Sequence, residues 1–123
     1  MTDHEFTQSL CNRADMKYEG KGPRVGTDKH RYAENLGKRY QKITGERESL
    51  QFEQRYKEGG EYVKGMGLKD SVIPDVFNKP KGEVFDYKFG NATLGQKQIQ
   101  KLETQLPKLD DAVVKVTEIK PNK

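Results

Sequence analysis

The sequence predicts an α/β domain in the order helix, three strands, helix, strand, with a central mixed four-stranded sheet flanked by helices. Two stretches space their apolar residues three and four apart, as the buried face of an amphipathic helix does. Four shorter stretches are alternating or β-branched, as strands are. Glycine, proline and asparagine gather in the gaps between them, where turns belong.

Residues 1–26 are polar and hold Gly20, Gly22, Pro23 and Gly26, which reads as a linker or a poorly ordered N-terminal arm. The organised domain is then residues 27–123. Thr27 or Asp28 can cap a first helix over residues 28–43. Tyr32, Leu36, Tyr40 and Ile43 share its apolar face, and Gly45 stands where helices commonly stop. Residues 50–57 alternate, with Leu50, Phe52 and Tyr56 on one side and Gln51, Glu53, Arg55 and Lys57 on the other. That is a half-buried strand closed by Gly59-Gly60. Gly65 and Gly67 weaken any regular element over residues 61–70.

Residues 72–77 form the second predicted strand. Pro74 cannot donate to a ladder, so a bulge or an edge is expected there. Asn-Lys-Pro-Lys-Gly at 78–82 is turn chemistry, and residues 83–89 return as an antiparallel partner. Asn91 or Thr93 can cap a second helix, whose stripe is Leu94, Ile99, Leu102 and Leu106 and whose end is marked by Pro107. Residues 112–119 are β-branched and alternating, a fourth strand. The first three strands can form a meander, and the last can join it in parallel through the helical crossover.

Composition narrows the function classes. Hydrophobic residues make up 32% and charged residues 34% of 123 residues, a thin core under a heavily charged surface. The net charge of +4 is compatible with a polyanionic partner, although many basic proteins bind no nucleic acid. Cys11 is the only cysteine, which excludes an intrachain disulfide and a cysteine-rich zinc site. It reads as a free thiol in a loosely ordered segment, and no disulfide-linked partner is expected. No run is apolar enough to suggest a membrane span, and residues 1–10 lack the pattern of a signal peptide, so export would require a larger carrier.

The chemistry concentrates in Ile73-Pro74-Asp75 and, after ten intervening residues, Asp86-Tyr87-Lys88. Strand periodicity places Asp86 and Lys88 on one face, with Phe85, Tyr87 and Phe89 on the other. The same parity puts Glu83 opposite Asp86 and out of the site, unless a bulge between them reverses it. The hairpin returns Asp75 to the strand beside Asp86. Two converging carboxylates repel, and a divalent cation such as Mg²⁺ relieves that repulsion. A cation held there polarises a phosphodiester and acidifies water, while Lys88 supplies charge for a developing phosphorane.

With Pro74-Asp75, Asp86 and Lys88 in these places, the region 28–119 resembles the PD-(D/E)xK nuclease superfamily. The resemblance implies a restriction-endonuclease-like αβββαβ core and phosphodiester hydrolysis with Mg²⁺ or Mn²⁺, Zn²⁺ being a poorer fit. It also implies a metal ligand from the first helix, for which Glu34 is the best match. The plainer reading of Glu34 is a solvated partner of Lys38 at i,i+4. His30, one turn earlier, can touch phosphate or simply lie at the surface. A glutamine near the catalytic lysine is a further feature of the superfamily. Gln98 borders the buried face of the second helix and is the first choice, Gln96 the second, and Gln100 also competes. Lys97 and Lys101 can contact a phosphate backbone or merely solubilise the helix.

Small domains of this kind are similar to the C-terminal nuclease toxins of bacterial polymorphic toxin systems, carried by contact-dependent inhibition, Rhs or type VI proteins. That similarity implies DNA as substrate, action in the cytoplasm of a target bacterium and a cognate immunity protein, for which the net charge of +4 and the lysines of the second helix favour an acidic surface. The alternatives are a tRNA-cleaving toxin on the same fold, a non-catalytic nucleic-acid-binding module, and a repair or junction-resolving nuclease.

Overall fold

The computed structural model describes residues 1–20, 22–57, 61–62, 71–90, 93–106 and 114–122. Its helices are α1 (Asp3–Lys17), α2 (Pro23–Thr44) and α3 (Gln96–Gln105), and its strands are β1 (Leu50–Phe52), β2 (Tyr56–Lys57), β3 (Glu61–Tyr62), β4 (Ser71–Val72), β5 (Val76–Asn78), β6 (Glu83–Tyr87) and β7 (Lys115–Ile119). The main sheet is mixed and four-stranded, in the order β1-β5-β6-β7. Antiparallel pairing joins β1 to β5 and β5 to β6, and β7 lies parallel to β6 after the α3 crossover. The meander with a parallel fourth strand is therefore present.

The N-terminal segment departs from expectation. Residues 3–17 form a helix, not a linker or arm, and bury Phe6, Thr7, Leu10, Cys11 and Ala14. Thr2 and Glu5 start it with a reciprocal capping box, Glu5 N–H to Thr2 Oγ1 at 3.1 Å and Thr2 N–H to Glu5 Oε1 at 2.9 Å. Three of the five buried positions are small or hydroxylated, so the stripe looks polar although its spacing is helical. Burying Phe6 and Leu10 stabilises this packing by roughly 1.5–3 kcal/mol each. Cys11 is accordingly a core residue with 0% exposure, and burial pushes its thiol up to about 12.

Helix α2 begins at Pro23 and not at Thr27 or Asp28, because Gly22 supplies a φ of +114° as N-cap and proline fits the first helical position. It ends where expected, with Gly45 at φ +68°. Tyr32, Leu36 and Tyr40 pack on the core, but Ile43 is 74% exposed. Beyond it no element covers that last turn among the described residues.

The predicted strand over 50–57 is two strands in two sheets. β1 belongs to the main sheet, whereas β2 pairs with β3 and β4 in a small three-stranded sheet. Glu53, at φ +54°, turns the chain between them. The predicted 72–77 strand likewise splits around Pro74 into β4 and β5. Gly82, at φ +64°, closes the β5–β6 turn. Thr93 does not cap α3; Gly95 is its N-cap, without a side-chain bond, and Leu94 precedes the helix. Asn91, Pro107, the Gly59-Gly60 pair, most of 61–70 and the start of the 112–119 strand lie outside the described residues.

The sheet separates two apolar clusters. Phe52, Val76, Phe85, Tyr87 and Ile119 pack against α1 and α2, while Phe77, Val84, Leu102 and Leu106 pack with α3 and Tyr56. The site lies where β1, β5 and β6 meet α2.

Candidate metal centre

Asp75 stands immediately before β5, where Pro74 has interrupted the strand. Its Oδ2 accepts the backbone N–H of Tyr87 at 2.7 Å, and its Oδ1 lies 3.1 Å from His30 Nδ1. Asp75 and Asp86 are both buried, at 7% and 4% exposure, and their carboxyl groups are close enough to hydrogen-bond when one is protonated. Burial, then the Asp86 charge, holds the Asp75 carboxyl well above the usual carboxylate range, against the pull of the Tyr87 N–H and Glu53.

Asp86 is held from its other side. Lys88 Nζ reaches its Oδ2 at 2.9 Å, and Gln98 Nε2 donates to the same oxygen at 3.4 Å. Lys88 also donates to Gln98 Oε1 at 3.0 Å. Asp86, Lys88 and Gln98 therefore close a small ring of polar contacts between β6 and α3. Asp86 and Lys88 share a face while Phe85 and Tyr87 enter the opposite cluster, in keeping with strand parity. Gln98 is the glutamine that reaches the lysine; Gln96 is exposed on the first residue of α3. Lys97 and Lys101 are exposed and form no ion pair among the described residues.

Glu34 is not part of the closest grouping. Its carboxylate binds Lys38 Nζ at 2.7 Å, the intrahelical pair that the i,i+4 spacing offers. The place beside Asp75 is taken by Glu53, which sequence reasoning set on the solvent face of a strand. One ligand atom each from His30, Glu53 and Asp75 lies within 4.8 Å of the others. The left-handed turn at Glu53 brings it there, and its N–H still bonds Asp75 O at 3.2 Å, so backbone and side chain are fixed together. A non-glycine residue in this conformation is costly, and such strain collects at working sites. The one sequence signal was Gln54, a polar residue at an apolar position of the 50–57 alternation.

Burial, then the Asp75 and Glu34 charges, pushes Glu53 up to about 8, with His30 opposing. His30 is lowered, chiefly by burial and further by Lys88, while Glu53 and Asp86 pull it up. Its ring packs edge-on against Tyr87 and Phe89 at centroid distances of 5.8 and 5.2 Å, which fixes its orientation. The donor set fits a divalent cation. Two carboxyl groups and an imidazole nitrogen converge, with the Asp86 carboxyl adjoining Asp75; the raised pKa values of Glu53 and Asp75 favour their protonated forms, and a cation can replace those protons. Oxygen donors suit Mg²⁺ and Mn²⁺, and the imidazole broadens the set toward later transition metals.

No helix among the described residues is long and apolar enough to cross a membrane. Compared with known protein families, curated proteins and solved structures, the chain matches none.

Proposed function

We propose that the chain is a metal-dependent nuclease that hydrolyses phosphodiester bonds, built on a restriction-endonuclease-like core to which α1 is added. The observation that carries this reading is the grouping of His30, Glu53 and Asp75, with Asp86 bridging Asp75 to the Lys88–Gln98 pair. Asp75 and Asp86 would hold the cation, with Glu53 in the position expected of Glu34 and with His30 as the nitrogen donor. When bound, Mg²⁺ or Mn²⁺ supplies Lewis-acid polarisation of the phosphodiester and lowers the pKa of water.

The protein's own groups account for the rest. Lys88 places a positive charge next to Asp86, where it stabilises charge that develops on the phosphoryl oxygens. Gln98 is a positioning residue that keeps the ammonium group on the Asp86 side. Glu53 and Asp75, with raised pKa values, hold protons in the metal-free protein and would give them up as pH rises or as a cation binds. Lys97 and Lys101, exposed on α3 near Gln98, suit contacts to the phosphate backbone.

DNA is the favoured substrate and tRNA the alternative. Purified protein incubated with plasmid DNA and with total tRNA, in Mg²⁺, Mn²⁺ or EDTA, tests the reading. Cleavage is expected with metal, is expected to stop in EDTA, and is expected to be lost in Asp86→Ala. An inactive wild type under every metal condition, or an Asp86→Ala protein of full activity, defeats it.

A further inference from the structure

We propose that the groove between α1 and α2 docks an acidic amphipathic helix of a partner protein. This stands apart from the nuclease reading, because the groove uses none of the residues of the candidate metal centre. His30 lies in the first half of α2, whereas the groove is formed by its second half and the first three turns of α1.

The groove encloses about 340 Å³. Phe6 and Leu10 of α1 and Leu36 and Tyr40 of α2 form an apolar floor. Ile43 stands on its edge with 74% of its surface exposed, in a protein otherwise rich in charge. Side chains of two packed helices with a furrow between them form a seat into which a third helix can pack its ridge. Such a helix anchors with apolar residues at i, i+3 or i+4, and i+7.

The charge on the rim selects the partner. Arg13 and Arg39 line the groove, and no acidic residue does. Both guanidinium groups are exposed and neither makes an ion pair or hydrogen bond among the described residues, in contrast to Arg47, which is paired with Asp3 at 2.6 Å. A second copy of this chain across a two-fold axis would set these arginines against their own counterparts. A nucleic acid would leave the apolar floor unused. A helix with carboxylates flanking an apolar stripe satisfies both parts, and it gains in association rate from the opposite charge.

The experiment titrates the full chain into a labelled synthetic helix of about 16 residues, long enough to span the furrow, with leucines at the anchor spacing and glutamates beside them. A matched peptide carries lysine in place of each glutamate. The glutamate peptide is expected to bind at least about tenfold more tightly than the lysine peptide. Arg13→Glu with Arg39→Glu is expected to weaken it about tenfold or more, and Ile43→Asp likewise. Because both arginines are exposed, circular dichroism should show unchanged folding, and Arg13→Gln with Arg39→Gln provides a milder pair. Equal binding of the two peptides, no binding of either, indifference to the substitutions, preference for phosphatidylglycerol vesicles over the peptide, or dimerisation through this face would each overturn the proposal.

Discussion

The Asp75 carboxylate accepts the backbone N–H of Tyr87 at 2.7 Å, a bond that ties the residue before β5 to the strand carrying Asp86. It turns Asp75 inward, so that burial and a second carboxylate act on it together. Without that bond, the interruption at Pro74 would leave Asp75 free to face solvent. The like charges that make the site awkward as a metal-free protein are the feature that suits it to a cation.

Stability of the metal-free protein should fall as pH rises. Glu53 moves from 4.5 in a free chain to about 8 in the fold, and Asp75 is raised as well. The folded state thus holds protons that the unfolded state has already released. The stabilising contribution of Glu53 is complete below pH 4.5 and is lost as pH climbs toward about 8. Urea unfolding in EDTA at pH 5 and pH 8 should give the lower midpoint at pH 8. With saturating Mn²⁺ the trend should reverse, since ligands bind only when deprotonated. Identical midpoints in EDTA would show that these carboxyls are not coupled as described.

Glu53→Gln separates the metal role from the fold. The amide keeps the shape and removes a charge that Asp75 and Glu34 oppose, so metal-free stability at pH 8 should rise. Affinity for Mn²⁺ by calorimetry should drop by at least about tenfold to a hundredfold, the loss typical even of groups that only support a metal ligand. Glu53→Gly should add up to about 1 kcal/mol more stability by removing the left-handed strain at φ +54°. An unchanged Mn²⁺ affinity in both variants would remove Glu53 from the ligand set.

Lys88→Met tests a structural debt carried by a residue proposed for chemistry. The Lys88 and Asp86 side chains are 17% and 5% exposed, so methionine leaves a nearly buried carboxylate without its cation. The expected loss is about 3 kcal/mol, read from chemical denaturation. Pairing it with Asp86→Asn should recover most of that loss, because no unpaired charge remains. If Lys88→Met alone costs nothing, the ion pair contributes no stability and the Lys88 role reduces to chemistry.

The main sheet and its crossover helix were legible because their signals are local: Phe85, Tyr87 and Ile119 in the strands and Leu102 in α3 are large, apolar and periodic, and all are buried. Asp86, Lys88 and Gln98 were legible for the same reason, since strand parity and one helix turn suffice to bring them together, and Asp75 was legible from the hairpin that returns it beside Asp86. Glu53 was not, because its position depends on a single backbone conformation that breaks the alternation it was read from. Helix α1 was missed because Thr7, Cys11 and Ala14 are buried through their small size, not through strong apolarity. The small sheet escaped notice because its strands are only two residues long, too short to establish any period.

Gly37 links the packing of α2 to the site. A glycine inside a helix costs about 1 kcal/mol relative to alanine, so Gly37→Ala should stabilise an isolated α2. In the folded protein, a Cβ at this position would sit 2.6 Å from both Cε1 and Cζ of Phe52 and 3.2 Å from Leu10 Cδ1. Phe52 and Leu10 are 2% and 3% exposed, so neither has open space to move into. Overpacking of this kind costs about 1–3 kcal/mol, which meets or exceeds the helix gain. The net change should be destabilising by up to about 2 kcal/mol. Phe52 is also the residue before Glu53, so pushing its ring away strains the turn that presents the Glu53 carboxylate. Gly37→Ala should therefore lower Mn²⁺ affinity in calorimetry as well as the unfolding midpoint. A variant with lower stability and unchanged Mn²⁺ affinity would mean that Phe52 can shift without moving Glu53. A variant of higher stability would show that α2 does not approach β1 as closely as its glycine allows.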